Sequence, residues 1–173
     1  MKKRIRLIYT SRSLLMNHDE NSYYHDEINQ ILLTSREHNY ENNITGVLFY
    51  IDGYFFQCLE GKEDDVLSLM NRISQDPRHT DVKISYCKSI RSRMFKVWTM
   101  KFVYINSKII DLLENLGYQT FDPVNFDEYE INLLMDKFYK MDDQTENNTL
   151  LNKFYYAKQS FWQRLMHARL MFA

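Results

Sequence analysis

Hydrophobic residues recur along the first hundred positions with two different periods, and each period predicts one kind of element. Apolar residues at alternate positions, or in short β-branched and aromatic runs, predict strands. We expect five strands, at residues 4–10, 44–50, 54–60, 82–86 and 95–103. Apolar residues three and four positions apart predict helices, which we expect at residues 22–38 and 63–75. The polar run 39–43 is expected to end the first helix.

Turn residues connect these elements into one pattern. Asp52-Gly53 between the second and third strands is a hairpin signal, and Asp76-Pro77 ends the second helix. The resulting order is β-α-β-β-α-β-β, which is typical of a split βαβ arrangement. We therefore expect an α+β fold, with a ferredoxin-like sheet that carries both helices on one face. The first and third strands would lie side by side at the centre of that sheet.

The last third of the chain predicts a helical extension rather than more sheet. Apolar residues cluster before Gly117, and a third helix is expected over residues 127–141. A polar linker over 142–148 precedes a final helix, expected over about residues 150–172. The third helix is mainly acidic and the final one basic, which favours a helical hairpin within the chain or between subunits.

Composition and charge exclude several function classes. The chain of 173 residues has a net charge of −1, which argues against binding nucleic acid through a basic surface. Its two cysteines show no pairing pattern, and its histidines show no metal-ligand spacing. No run approaches the roughly 18 apolar residues of a membrane span, and the N-terminal apolar stretch is too short for a signal peptide. We therefore expect a cytoplasmic protein without a metal site.

Two polar residues stand out on the apolar face of the predicted central strands. Gln57 lies within an otherwise apolar strand, and a buried amide costs free energy unless its donors and acceptor find partners. Tyr9 ends the first apolar strand, and alternation places both side chains on the face that the helices cover. We therefore expect Tyr9 and Gln57 to be neighbours. A phenol beside an amide indicates a ligand that needs a redox-capable group and a reversible hydrogen-bond donor.

Six short motifs resemble, in order and spacing, those of the BLUF domains, which are blue-light sensors that use FAD. The motifs are Arg6-Leu7-Ile8-Tyr9, Ser35 to Asn39, Ile44-Thr45-Gly46, Phe55 to Gly61, Asp76-Pro77-Arg78-His79 and Trp98-Thr99-Met100. The resemblance implies a flavin-binding photosensor domain over residues 1–103, and a helical extension over 104–173 that serves output or oligomerisation. It implies non-covalent FAD as the cofactor. The sequence does not separate FAD from FMN or riboflavin, because the ring contacts are common to all three.

The resemblance also implies a role for each matched position. Tyr9 would donate an electron and a proton to the excited flavin, and Gln57 would hydrogen-bond both Tyr9 and the N5/C4=O edge of the ring. Trp98 and Met100, on the fifth strand, would report the change to the rest of the protein. The further flavin contacts that it implies are Ile31, Ser35, His38, Asn39, Arg72, Ile73, Asp76, Arg78 and His79.

All of those further contacts except Ser35 fall into three groups. Asn39, with His38 beside it, would bind the carbonyl edge of the flavin. Ile31 and Ile73 would sandwich the isoalloxazine ring. The second-helix and loop residues would hold the pyrimidine edge or the ribityl-phosphate chain, namely Arg72, Asp76, Arg78 and His79. The chain departs from the commonest family pattern at His38, where many members have Asn, and at Asn42-Asn43, where Asn-Gly is more usual.

Three function classes follow from these observations. The first is a blue-light sensor without enzymatic activity, because the residues after Tyr104 are too few for a cyclase or a phosphodiesterase. Its output would be an interaction with a downstream signalling or regulatory protein, through the tail or the uncovered face of the sheet. Homo-oligomerisation is expected by similarity to short family members.

The two alternatives each conflict with a feature of the chain. A flavin oxidoreductase usually needs a glycine-rich phosphate loop, and the chain has four glycines and no G-x-G-x-x-G motif. A ferredoxin-like interaction module that has lost its photochemistry would have no need of the intact pair Tyr9 and Gln57.

Overall fold

The computed structural model describes residues 3–14, 23–97, 99–103 and 105–141. The strands in these residues are β1 (Arg4–Ser13), β2 (Thr45–Ile51), β3 (Tyr54–Lys62), β4 (His79–Ser89) and β5 (Lys101–Val103). The helices are α1 (Tyr23–Glu41), α2 (Glu63–Ser74), α3 (Ser107–Asn115) and α4 (Glu128–Tyr139). Trp98 and the final helix predicted over 150–172 lie outside the described residues. None of the described helices is long and apolar enough to cross a membrane.

The strands form a single sheet in the order β4-β1-β3-β2-β5. Neighbours are antiparallel except for β2 and β5, which are parallel. The predicted ferredoxin-like α+β fold is therefore confirmed, with β1 beside β3 at its centre. The predicted hairpin at Asp52-Gly53 is also present, and both residues have a positive φ, of 52° and 76°. Two successive residues of positive φ are typical of the tight turns that join antiparallel strands.

Alternation along the central strands sends apolar side chains to two separate cores. On one face, α1 and α2 cover a cluster that includes Leu7, Leu48 and Leu59. On the other face, α3 and α4 cover a cluster that includes Phe49 and Phe138, whose ring centroids are 5.0 Å apart. The expectation of an uncovered face is therefore wrong. Residues 105–141 close that face because their own aromatic and aliphatic side chains need burial.

The first helix is longer than predicted. It continues through the polar residues to Glu41, and Asn39 is buried within its last turn. The chain turns at Asn43, whose φ is 50°, and the N–H of Ile44 donates to the carbonyl of Asn39 at 2.8 Å. The polar run predicted a helix end because Tyr40 and Glu41 are exposed to solvent, but both residues are still helical.

The fifth strand is shorter than predicted, since only Lys101–Val103 pair with β2. The carboxylate of Glu60 accepts the N–H groups of Met94 and Phe95, at 2.8 and 2.9 Å. The carbonyls of Thr99 and Met100 accept hydrogen bonds from α1 side chains. Because side chains take the backbone groups that a strand ladder would use, residues 94–97 and 99–100 run as bends and turns. Met100 therefore precedes β5 instead of lying within it.

Candidate functional site

A buried hydrogen bond between Tyr9 and Gln57 lies at the centre of the site. The two residues are directly opposite each other on β1 and β3, and both are almost fully buried. The Tyr9 hydroxyl donates to Oε1 of Gln57. On its other side, Nε2 of Gln57 donates to the sulfur of Met100 at 3.4 Å. Since a thioether is a weak acceptor, the amide nitrogen keeps capacity for a stronger one.

The surroundings of Tyr9 hold its proton in place. Burial raises the pKa of the Tyr9 phenol well above its ordinary value, and the charge of Asp76 raises it further. The Arg78 guanidinium opposes this shift without cancelling it. Tyr9 is therefore a neutral phenol at any physiological pH, and its proton becomes labile only if the ring loses an electron.

The Asn39 side chain lies in the same region, and one of its two polar atoms has no hydrogen-bond partner among the described residues. Its amide nitrogen donates to the carbonyl of Thr99 at 2.7 Å, which fixes the side chain at the end of α1. Its oxygen Oδ1 is buried and has no hydrogen-bond partner among the described residues. A buried acceptor without a donor costs free energy, so this atom indicates a bound molecule with an N–H or O–H group.

The walls of this region come from α1 and α2. Ile31 is buried and Ile73 half-buried, and both pack in the same apolar cluster as Tyr9. Ser35 is half-buried on α1. At the ends of the two helices, Arg72 donates to Nε2 of His38. Burial, reinforced by the Arg72 charge, lowers the pKa of His38.

The loop after α2 adds a charged pair, and the first residue of β4 adds a half-buried imidazole. Arg78 donates to both oxygens of Asp76, with an Nε–Oδ1 distance of 2.9 Å, and this bonding lowers the pKa of the Asp76 carboxyl. Nδ1 of His79 lies 2.8 Å from Oγ of Ser11. The His79 ring is 4.6 Å from that of Phe55, and burial lowers its pKa to about 4. At neutral pH this imidazole is therefore uncharged.

The structure thus brings most predicted residues to one side of the sheet but not to one point. Tyr9, Gln57 and Met100 form a hydrogen-bonded row, and Asn39 reaches it through Thr99. Arg72 is exposed and contacts His38 instead of that row. Among the described residues, no group of three or more His, Cys, Asp or Glu side chains is placed to hold a metal ion.

Three contributors were not predicted as site residues. Arg36 donates from Nε to the carbonyl of Met100 at 3.0 Å, and Ser11 contacts His79. Glu60 is fully buried and holds the segment before β5. The signal for Glu60 was available in the sequence, because it stands in the same apolar strand as Gln57, three positions further along.

Comparison with known proteins relates this geometry to light sensing. The family model described as "Sensors of blue-light using FAD" matches residues 5–101, more than half of the chain. Photoactivated adenylate cyclase subunit beta of Euglena gracilis is 39% identical over 75 residues, which are 43% of this chain and 9% of that protein. The blue light- and temperature-regulated antirepressor BluF of Escherichia coli (strain K12) is 32% identical over 69 residues, or 40% of this chain and 17% of that protein. The chain therefore spans less than a fifth of either relative.

Solved structures match a larger part of the chain. The ground state of BlsA superimposes with a TM-score of 0.77 at 32% identity, covering 83% of this chain and 93% of that one. The dark-state structure of BlrB, a BLUF protein, gives a TM-score of 0.62 at 26% identity, covering 80% of this chain and 96% of that one. Both matches cover a larger share of the chain than the family model does.

Proposed function

This chain belongs to the BLUF family of blue-light sensors that use FAD, and we propose that the row Tyr9, Gln57 and Met100 is its light-driven switch. Residues 1–103 would form the photosensor domain, and residues 104–173 the extension for output or oligomerisation. The observation that carries the proposal is the buried hydrogen bond from Tyr9 to Gln57. It places a phenol next to an amide that can exchange its donor and acceptor ends.

The residues around this row suit a flavin. Asn39 offers a buried oxygen that has no donor among the described residues, and the flavin ring carries an N–H beside its carbonyls. Ile31 and Ile73 supply apolar surface from two helices. We propose that the polar residues beside them hold the ring edge or the ribityl-phosphate chain, namely Ser35, His38, Arg72, Asp76, Arg78 and His79. When bound, the flavin supplies the absorption of blue light and an acceptor for one electron and one proton.

Tyr9 has the properties that its role as donor requires. Its raised pKa keeps it protonated in the dark, so that no charge is buried before light arrives. On excitation, Tyr9 would give up an electron and its hydroxyl proton, and Gln57 would then face a changed partner, so that its amide reorients by rotation or tautomerisation. Tyr9 would regain both the electron and the proton before the lit state is established, which leaves the changed Gln57 hydrogen bonds as the difference between light and dark. The weak contact of Nε2 with the Met100 sulfur is the first to change.

The output of such a switch would be a change in contact with another protein. We propose that the chain has no enzymatic activity and acts in the cytoplasm on a downstream signalling or regulatory protein, as a homo-oligomer. The names of the two relatives support a regulatory partner, since one is an adenylate cyclase subunit and the other an antirepressor.

The visible absorption spectrum before and after blue light tests this proposal. The FAD-loaded chain should show a flavin band that shifts to the red in light and recovers in the dark. Tyr9→Phe removes only the hydroxyl and should bind flavin without giving the shift. Tyr40→Phe removes the same atom from a side chain that is 79% exposed, and should behave as wild type. A band that bleaches with a nicotinamide reductant would indicate an oxidoreductase, and a chain that binds no flavin would be an interaction module.

A further inference from the structure

A buried lysine lies next to the methionine that contacts Gln57. Lys101 begins β5, directly after Met100, and is 0% exposed. Its partner in the β2–β5 register is Val47, whose side chain belongs to the core under α3 and α4. Lys101 therefore points to the face opposite Gln57. Burying an ammonium group costs free energy unless it is hydrogen-bonded, so the Lys101 side chain needs acceptors on that face.

The Lys101 ammonium group lies at the C-terminal end of α4. Nζ donates to the carbonyl of Met141, and its distance to the carbonyl of Tyr139 is 3.4 Å. The last carbonyls of a helix have no partner within the helix, and they carry its negative dipole end. A cation at this position serves the Tyr139 carbonyl and opposes the dipole, so Lys101 joins β5 to the end of α4 and, through Met141, to the chain just beyond it.

The backbone before Lys101 is hydrogen-bonded to α1, on the face of the sheet that carries Gln57. Arg36 and Asn39, both on α1, donate to the carbonyls of Met100 and Thr99 at 3.0 and 2.7 Å. The Met100 side chain accepts from Gln57. Residues 99–101 thus connect the Gln57 amide, the end of α1 and the end of α4 over three consecutive positions.

We propose that Lys101 is a positioning residue that couples the Gln57–Met100 contact to the end of α4. The inference rests on the proposed light-driven change at Gln57. When the amide leaves the Met100 sulfur, residues 99–101 move. The Lys101 hydrogen bonds to the carbonyls of Tyr139 and Met141 then weaken, and the last turn of the helix opens. The first turn stays closed, because Asp127 and Glu130 form a capping box there.

Amide hydrogen exchange of the FAD-loaded full chain, in light and in dark, tests the inference. In the wild type, exchange over residues 136–141 should be faster in light by about twofold or more, with no such difference over 128–131. Lys101→Met keeps an unbranched apolar side chain without the ammonium group. It should keep the red shift of the flavin band and lose the light–dark difference at the end of α4.

Two further variants separate coupling from simple stability. Lys101→Arg keeps the charge and the donors, and should retain the light–dark difference. Lys140→Met removes a charge from the same end of α4, but from an exposed side chain that is paired with Asp136 at 2.6 Å. It should also retain the difference. A purely structural lysine would change exchange equally in light and dark.

Two results would overturn the inference. One is a wild-type chain with a normal red shift but no light–dark difference over residues 136–141, which decides the matter even if Lys101→Met does not fold. The other is a folded Lys101→Met variant with the full difference. Failure of the proposed function is distinct from both, because the wild-type flavin band itself would then not shift.

Discussion

Replacing Glu60 by glutamine tests whether a buried charge holds the segment that leads into β5. Oε1 of Glu60 accepts from Nε of Arg6 at 2.7 Å, and Oε2 accepts the N–H groups of Met94 and Phe95. All of these partners are donors. A glutamine has the same shape, but one of its two terminal atoms is a donor as well. In either orientation it faces another donor, and Arg6 loses its counter-charge.

The size of the effect follows from the burial of the pair. The Glu60 side chain is 0% exposed and that of Arg6 14%, so little solvent screens what is lost. Breaking one partner of a buried ion pair costs about 3–5 kcal/mol. We expect Glu60→Gln to lower the free energy of unfolding by about that amount, which is a large part of the roughly 5–15 kcal/mol typical of a domain.

Denaturant unfolding at pH 7 measures this loss, and the chain offers a matched control. Glu63 pairs with Lys3 at 2.5 Å, but on the surface. Glu63→Gln makes the same chemical change there and should cost less than about 1 kcal/mol. If Glu60→Gln costs no more than Glu63→Gln, the charge does not hold this segment and the reasoning is refuted.

Two further predictions use the same unfolding measurement. A Cβ on Gly46 would lie 1.9 Å from the carbonyl oxygen of Cys58, so Gly46→Ala should lower the free energy of unfolding by more than about 3 kcal/mol. Gly117 has open space around its Cα, and only its positive φ disfavours a side chain, so Gly117→Ala should cost about 1 kcal/mol. Equal costs would contradict this. The pKa of His79 is about 4 in the folded chain, below its unfolded value of about 6.5, so the unfolded chain binds more protons between these values. Stability should therefore fall as the pH drops from about 6.5 to 4, by at most about 3 kcal/mol, and His79→Gln should remove that part of the pH dependence. An unchanged slope in the variant would disprove it.

Periodicity predicted the fold well where each strand pairs with a neighbour along its whole length. Alternation placed Tyr9 and Gln57 on the same face of β1 and β3, and the structure pairs them directly. It failed over residues 95–103, because Glu60 and side chains on α1 take the backbone groups there. Those contacts join residues far apart in sequence, so no local pattern reveals them.

The candidate site shows the same division between local and long-range signals. Gln57 stood out because an amide within an apolar strand needs a partner, and Tyr9 is that partner. Glu60 and Lys101 carry a similar signal, since each is a charged residue within or beside an apolar run. Their roles depend on Phe95 and on the end of α4, and only the folded chain brings those elements to them.

The light-minus-dark absorption spectrum of Gln57→Leu is the most direct test of the central claim, that Gln57 converts light absorption into a rearrangement of hydrogen bonds. Leucine keeps the buried volume but neither accepts from Tyr9 nor donates to Met100. The variant should bind FAD and show no red shift, whereas Gln30→Leu, at an exposed position of α1, should shift as the wild type does. A Gln57→Leu variant with the full reversible shift would contradict the account.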